Sequence, residues 1–199
     1  NTGDIIFLIN QYGDTLDTVA APKWPADRSL ARTSAFGPLS PHVDIHHSAG
    51  FTYDTAADTA VLPIAPVDTT RPVIIPPPES PTQPPTQPAN PSLPSLVLIS
   101  EVLADPPAGP IGDANGDGTR HTYQDEFVEL YNAGPDSIDL GGWKIGDDDT
   151  PPTAWFAFPA GTSLAPQSFA LLFGGGEPAS FAGPTFSDDG RIGNGLSNT

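Results

Sequence analysis

Cysteine and methionine are both absent from this 199-residue chain. Without cysteine, no disulfide staples the fold and no thiolate does chemistry. Without methionine, even at position 1, the opening Asn1-Thr2-Gly3-Asp4 reads as a processed product or a piece of something longer. Basic residues are scarce: 7 Lys plus Arg stand against 24 Asp plus Glu, a formal net charge of −17. Such a surface repels nucleic acid and anionic membrane and attracts divalent cations, so no nucleic-acid partner is expected. No apolar run approaches the ~20 residues of a membrane helix, so no membrane insertion is expected either. No signal peptide is present, which fits removal as well as non-secretion. What is plentiful is proline (26) and glycine (20). That content excludes a helical bundle and, with the aromatic residues, points to an all-β chain.

The prolines are not evenly spread. Residues 71–94, RPVIIPPPESPTQPPTQPANPSLP, hold 10 prolines in 24 residues. This composition favours polyproline II, extended by ~3.1 Å per residue, and a semi-rigid spacer. The chain therefore divides into residues 1–62, a linker over 63–95, and residues 96–199. Hydroxyls beside proline in an extended segment are accessible to glycosyltransferases, which makes Ser80, Thr82, Thr86, Ser92 and Ser95 candidates for O-linked glycans. Asn90-Pro91-Ser92 carries the proline that forbids N-glycosylation.

On either side of the linker the pattern is that of short strands between Gly, Pro and Asp turns. Ile5 to Ile9 and Thr15 to Ala20 read as a hairpin turned at Gln11-Tyr12-Gly13-Asp14. Residues 22–62 read as packed loops with at most one short strand. After the linker, strands are expected over Leu96 to Leu103, Glu126 to Tyr131, Ala154 to Phe158 and Phe169 to Phe173. A further one, through Ile138, Leu140, Trp143 and Ile145, would be bulged at Gly141-Gly142. Many short strands of this kind indicate a β-sandwich.

The segments ISEVLADPP, DEFVELYNAG, IDLGGWKIGDDD and FPAGTSLAPQSFALLF, at residues 99–107, 125–134, 138–149 and 158–173, together resemble the first half of a lamin-tail domain. Glu101, Phe127, Glu129, Asn132, Leu140, Gly142 and Trp143 stand at positions typical of that family. The resemblance implies an immunoglobulin-like sandwich of the type found in secreted bacterial proteins. The second half of the family pattern falls in two places: GNGLSNT ends the sequence, and NTGDIIFLINQYGDTLDTV begins it. DRSLARTSAFGP, residues 27–38, resembles the family's closing Ser-Leu-x-Arg loop. On this reading 1–62 is the C-terminal half of a sandwich and 96–199 the N-terminal half.

Two such halves need each other. Residues 96–199 alone would leave an apolar edge and an open core, and an isolated hairpin is marginal in water. Either the chain closes on itself, like a circular permutant, or its N-terminal strands complete an identical neighbour, head to tail. Adjacent repeats of one long chain would serve equally.

Asp113-Ala114-Asn115-Gly116-Asp117-Gly118 has the D-x-N-x-D-G spacing that aims alternate side-chain oxygens at one Ca2+. Asp113, Asn115, Asp117, the Thr119 carbonyl and Asp125 form the expected ligand set. An EF-hand is disfavoured, because its twelfth position is Gln124 and the following FVELY reads as strand. Asp147-Asp148-Asp149 and Asp188-Asp189 read as solvated turns. His42, Asp44 and His46, with His47 nearby, alternate as metal ligands would, but a solvated loop is the better reading. Trp24, Trp143 and Trp155 read as core or shielded surface rather than a sugar platform. There is no Gly-x-Ser-x-Gly, His-Glu-x-x-His or phosphate loop, and no enzyme is expected. The sequence thus points to a calcium-stabilised structural subunit or repeat of an extracellular or cell-surface fibre. The alternative is a lamin-tail accessory binding module of a secreted or cell-surface hydrolase.

Overall fold

The computed structural model of the chain describes residues 5–20, 26–32, 34, 37–41, 47, 49, 52–54, 59–61, 96–147, 156–193, 195 and 196. The linker with its five candidate glycosylation residues, and Trp24, Trp155, His42, Asp44, His46, Asp148 and Asp149, lie outside these. Among the described residues the chain is all-β, with fourteen strands and one 3-10 turn at Pro110–Gly112.

The N-terminal apolar run forms β1 (Ile5–Ile9), turned into β2 (Thr15–Ala20) by a loop in which Asn10 Oδ1 accepts from the Tyr12 and Asp14 N–H groups. Residues 22–62 depart from the loop expectation. They supply β3 (Leu30–Arg32), β4 (Leu39–Pro41), β5 (Thr52–Asp54) and β6 (Thr59–Val61). These are three-residue strands, too short to announce themselves by alternation. After the linker come β7 (Val97–Leu103), β8 (Phe127–Asn132), β9 (Ile138–Asp139) and β10 (Lys144–Asp147). The chain continues with β11 (Phe156–Ala157), β12 (Ser163–Leu164), β13 (Phe169–Phe173) and β14 (Thr185–Ser187).

Two sheets face each other. One has the order β11-β10-β1-β2 and the other β14-β13-β8-β7-β3-β4; β9 with β12 and β5 with β6 form separate pairs. The expected bulged strand through residues 138–145 is instead two strands in different sheets. Gly142, at φ 78, turns the chain from β9, which pairs with β12, into β10, which pairs with β1. A left-handed φ is open to glycine at no steric cost.

The sandwich core takes its side chains from both sides of the linker. Ile6 and Leu8, both 0% exposed, pack with Ile99, Val128, Leu130 and Leu172. Trp143 and Ile145 complete this wall from β10. Leu98 is buried but belongs to the other face. β7 shifts register between Ile99 and Glu101, so the inward set is Val97 and Ile99 before the shift and Val102 and Ala104 after it. A bulge of this kind reverses the parity of the alternation.

The outer face of the larger sheet is also covered. Leu103, Phe127, Leu171 and Phe173 form a second cluster with Ala49 and Ala114, against which Phe181 packs. One step along this face, Glu101 stands opposite Glu129 in the β7–β8 register, each 1% exposed. Their carboxylates are reached by hydroxyls: Ser29 donates to Glu101 Oε1 at 2.5 Å and Ser100 to Glu129 Oε1 at 2.6 Å. Buried carboxyl oxygens require such partners.

One basic side chain knits the layers. Arg32 on β3 donates through Nε to the Ile99 carbonyl at 2.7 Å, through Nη1 to the Gly37 carbonyl at 2.7 Å, and through Nη2 to Asp17 Oδ2 at 2.9 Å. The same Asp17 oxygen accepts the Ile99 N–H at 2.8 Å. Asn132, fully buried at the end of β8, accepts the Gly134 N–H at 2.9 Å. Its amide nitrogen reaches the Asp136, Leu164 and Ala165 carbonyls at 2.8, 3.2 and 3.1 Å.

Candidate metal site and family membership

The acidic loop is an insertion between β7 and β8. The chain leaves β7 through Asp105-Pro106-Pro107 and the 3-10 turn, and Arg120 ties the loop back to this entry. Arg120 Nε donates to the Pro107 carbonyl at 3.0 Å, Nη1 to Thr122 Oγ1 at 2.8 Å, and Nη2 to the Pro106 carbonyl. Burial, with the nearby Asp27 carboxylate, raises the Asp105 pKa against the opposing effect of Arg120.

Within the loop each odd-numbered side chain first holds backbone. Asp113 Oδ2 accepts the Gly118 N–H at 2.9 Å, Asn115 Oδ1 accepts that of Asp117 at 3.0 Å, and Asp117 Oδ1 accepts that of Thr119 at 2.8 Å. Asp125 closes the ring from the far end. Its Oδ1 accepts from the Asn115 N–H at 3.0 Å and its Oδ2 from the His121 N–H at 2.6 Å. Gly118, at φ 92, makes the sharp reversal that brings its N–H under Asp113. Asp113 Oδ1 is left buried with no hydrogen-bond partner.

Oxygen ligands suit Ca2+, and a buried carboxylate oxygen without a donor is where a hard cation would compensate best. Asp125 is pushed above its ordinary value of 3.8, first by burial and, against the N–H groups that favour its charge, by the Asp113 carboxylate. Asp125 therefore feels the Asp113 carboxylate across the loop. Among the described residues, no group of three or more His, Asp and Glu side chains is arranged to hold a metal by itself. A metal held here would need the Asn115 amide and a backbone carbonyl alongside the carboxylates. Thr119 is exposed; Asp188 is half-buried and Asp189 exposed, and Asp188 Oδ1 accepts the Asp189 N–H. The residues after Asp125 run directly into β8, so the loop is no EF-hand.

Sequence reasoning missed what the loop rests on. Asn115 Nδ2 donates to the Gly175 carbonyl at 3.1 Å, and the Asn115 carbonyl accepts the Ala179 N–H at 2.7 Å. Gly174-Gly175-Gly176 follows β13 because the loop lies against it. A Cβ on Gly174 would stand 1.9 Å from the Tyr123 carbonyl oxygen, and one on Gly176 2.5 Å from both Asn115 Nδ2 and Asp117 Oδ2. The triple glycine was visible in the sequence, and its reason was not. Residues near the end of the chain also reach the site. The Leu196 N–H donates to Glu126 Oε2 at 3.1 Å, and the Arg191 guanidinium lies 5.3 Å from the centre of the Tyr123 ring.

Comparison with known proteins fits this architecture. Residues 90–198, over half of the chain, match the lamin tail domain. Searches of curated proteins and of solved structures each found no significant match. The matched segment contains β7 to β14 and the acidic loop, while β1 to β6 lie outside it. By that match and by its two-sheet all-β fold, the chain belongs to the lamin tail domain family, whose immunoglobulin-like modules serve in structure and binding rather than catalysis.

Proposed function

We propose that this protein is a structural subunit or repeat of an extracellular fibre. Lamin-tail sandwiches would be completed head to tail by strands of an identical copy or adjacent repeat, and stabilised by calcium. The observation that carries this reading is the position of β1. It is an inner strand, paired with β10 on one side and β2 on the other, yet it comes from outside the family-matched segment. A module that depends on a strand from beyond its own boundary suits assembly by strand addition. Ile6, Leu8 and Val19 are buried in this way, and such side chains are each worth ~1.5–3 kcal/mol. The proline-rich segment 71–94 suits separation of beads better than tight return. Its serines and threonines, Ser80, Thr82, Thr86, Ser92 and Ser95, are the proposed attachment points for glycans, and intact mass spectrometry reads them directly. Electron microscopy of the purified chain at high concentration should show filaments, and a monodisperse monomer would overturn the fibre reading.

One observation favours the second reading, an accessory binding module of a secreted or cell-surface hydrolase. The described strands of one chain already pair into a closed sandwich, which a compact monomer would need. Native size separates the two.

Calcium is proposed to sit within Asp113, Asn115, Asp117, the Thr119 carbonyl and Asp125, where it would neutralise the facing carboxylates. Millimolar calcium should raise the melting temperature over EDTA by on the order of 5–10 °C. The pH dependence has a definite sign. Asp125 has a raised pKa in the folded state. Without cation its contribution to stability is therefore present below the ordinary aspartate value and lost as pH rises through the raised one. A cation needs the ionised form, so the gain from calcium should be largest near about pH 7 and shrink toward about pH 5. An identical melting curve in EDTA and calcium at about pH 7 counts against the site.

A further inference from the structure

We propose that the acidic loop is the latch of residues 188–196, so that calcium bound in the loop tightens a strap that closes one end of the sandwich core. This rests on the calcium reading above and goes beyond it by naming what the ion controls. The strap has a place in the core but little structure of its own. Ile192 and Leu196, 1% and 2% exposed, enter the same core as Ile6 and Leu8. Yet the described residues of 188–196 contain no strand, and Gly190, Gly193 and Gly195 all have left-handed φ, at 103, 58 and 95. No sheet ladder therefore holds this apolar pair in place, and such a segment opens as easily as its end anchors allow.

One anchor is β13: the Asp188 N–H donates to the carbonyl of Phe173, its last residue, at 2.9 Å. The others belong to the loop. The Leu196 N–H donates to Glu126 Oε2 at 3.1 Å, and the Arg191 guanidinium lies over the Tyr123 ring. A Cβ on Gly195 would stand 3.3 Å from that same ring. Tyr123 and Glu126 flank Asp125, whose carboxylate sets the turn beneath the ring. It accepts the Asn115 N–H from one arm of the loop and the His121 N–H from the other. The Asp125 N–H donates to the His121 carbonyl at 3.3 Å and closes the turn. A cation between Asp113 and Asp125 would draw together two arms that like charges push apart. It would thereby fix the turn that presents Tyr123 and Glu126 to the strap. Such coupling is reciprocal: an ion that tightens the strap is held less firmly when the strap is loosened.

Two measurements on the full-length protein test this. The first is hydrogen exchange followed by mass spectrometry, at neutral pH, in calcium chloride and in EDTA. The β1–β2 turn, where the Gly13 N–H donates to the Asn10 carbonyl, serves as the remote reference. Calcium is expected to slow exchange in peptides covering 188–196 by at least about five-fold more than at that turn. The second is calcium titration of Arg191→Ala against a chromophoric chelator. Arg191 is exposed, so its truncation leaves the core intact. Loss of its positive charge would by itself strengthen cation binding. The expected weakening, about five-fold or more, therefore reads the latch and not the charge. Equal slowing at the strap and at the turn, or an Arg191→Ala affinity equal to or tighter than that of the unsubstituted protein, overturns the latch and leaves the calcium site standing. Absence of calcium binding by the unsubstituted protein overturns the calcium reading and the latch together.

Discussion

Leu8→Ala is expected to cost about 2–5 kcal/mol of stability, the range for truncating a fully buried leucine whose site collapses only partly. Leu8 is 0% exposed and lies in the core with Ile6, although it stands nearly ninety residues from the β7 strand whose side chains share that core. The neighbouring Phe7, on the opposite face of β1 and only partly buried, provides the control. Phe7→Ala should cost no more than about 1–2 kcal/mol. Urea denaturation of both variants measures the difference. Equal losses, or a larger one at Phe7, would mean that the alternation along β1 runs the other way and that the N-terminal strand does not seal the sandwich as described.

Gly174→Ala is the second large effect expected. The added Cβ would meet the carbonyl oxygen of Tyr123 at 1.9 Å and its carbon at 3.0 Å. Both are main-chain atoms, so no side chain can rotate aside; the strand end or the acidic loop must move. Overpacking of this sort costs on the order of 3 kcal/mol or more. It should also loosen Asn115 and Asp117, and so weaken any response to calcium. Gly13→Ala is the comparison. Gly13 has φ 91 and open space where its Cβ would go, so only backbone strain is added, about 1 kcal/mol. A Gly174→Ala protein no less stable than Gly13→Ala would show that the loop does not rest on the residues after β13.

Much of this was readable in the residues because the signals are local. LVLISEVL, EFVELY and FALLF are apolar runs bounded by turn formers, and they became β7, β8 and β13. The D-x-N-x-D-G spacing located the acidic loop because each side chain there bonds a backbone group two or five residues on. The rest depended on partners distant in sequence. Three residues, Leu30 to Arg32, make a strand only because β7 and β4 pair with it on either side, and Ser29 is buried where Glu101 receives its hydroxyl. Likewise, nothing around Gly174 says that Tyr123 will be its neighbour. The bulge at Ser100 was hidden for a different reason: in a strand apolar on both faces, a change of parity leaves no mark on the hydrophobic pattern.

That bulge has a consequence for fidelity. A uniform strand is a ruler with identical divisions, and a partner can settle one division too far with little loss. β7 is a notched ruler. Its inward residues are odd-numbered through Ile99 and even-numbered from Val102; a slip by one residue turns both stretches out of the core, and a slip by two takes Glu129 away from the Ser100 hydroxyl that donates to it at the notch. Ile99, beside the notch, is also where Asp17 and Arg32 take hold. The strands beside β7 therefore have one seat, set by one irregular residue rather than by the length of the strands.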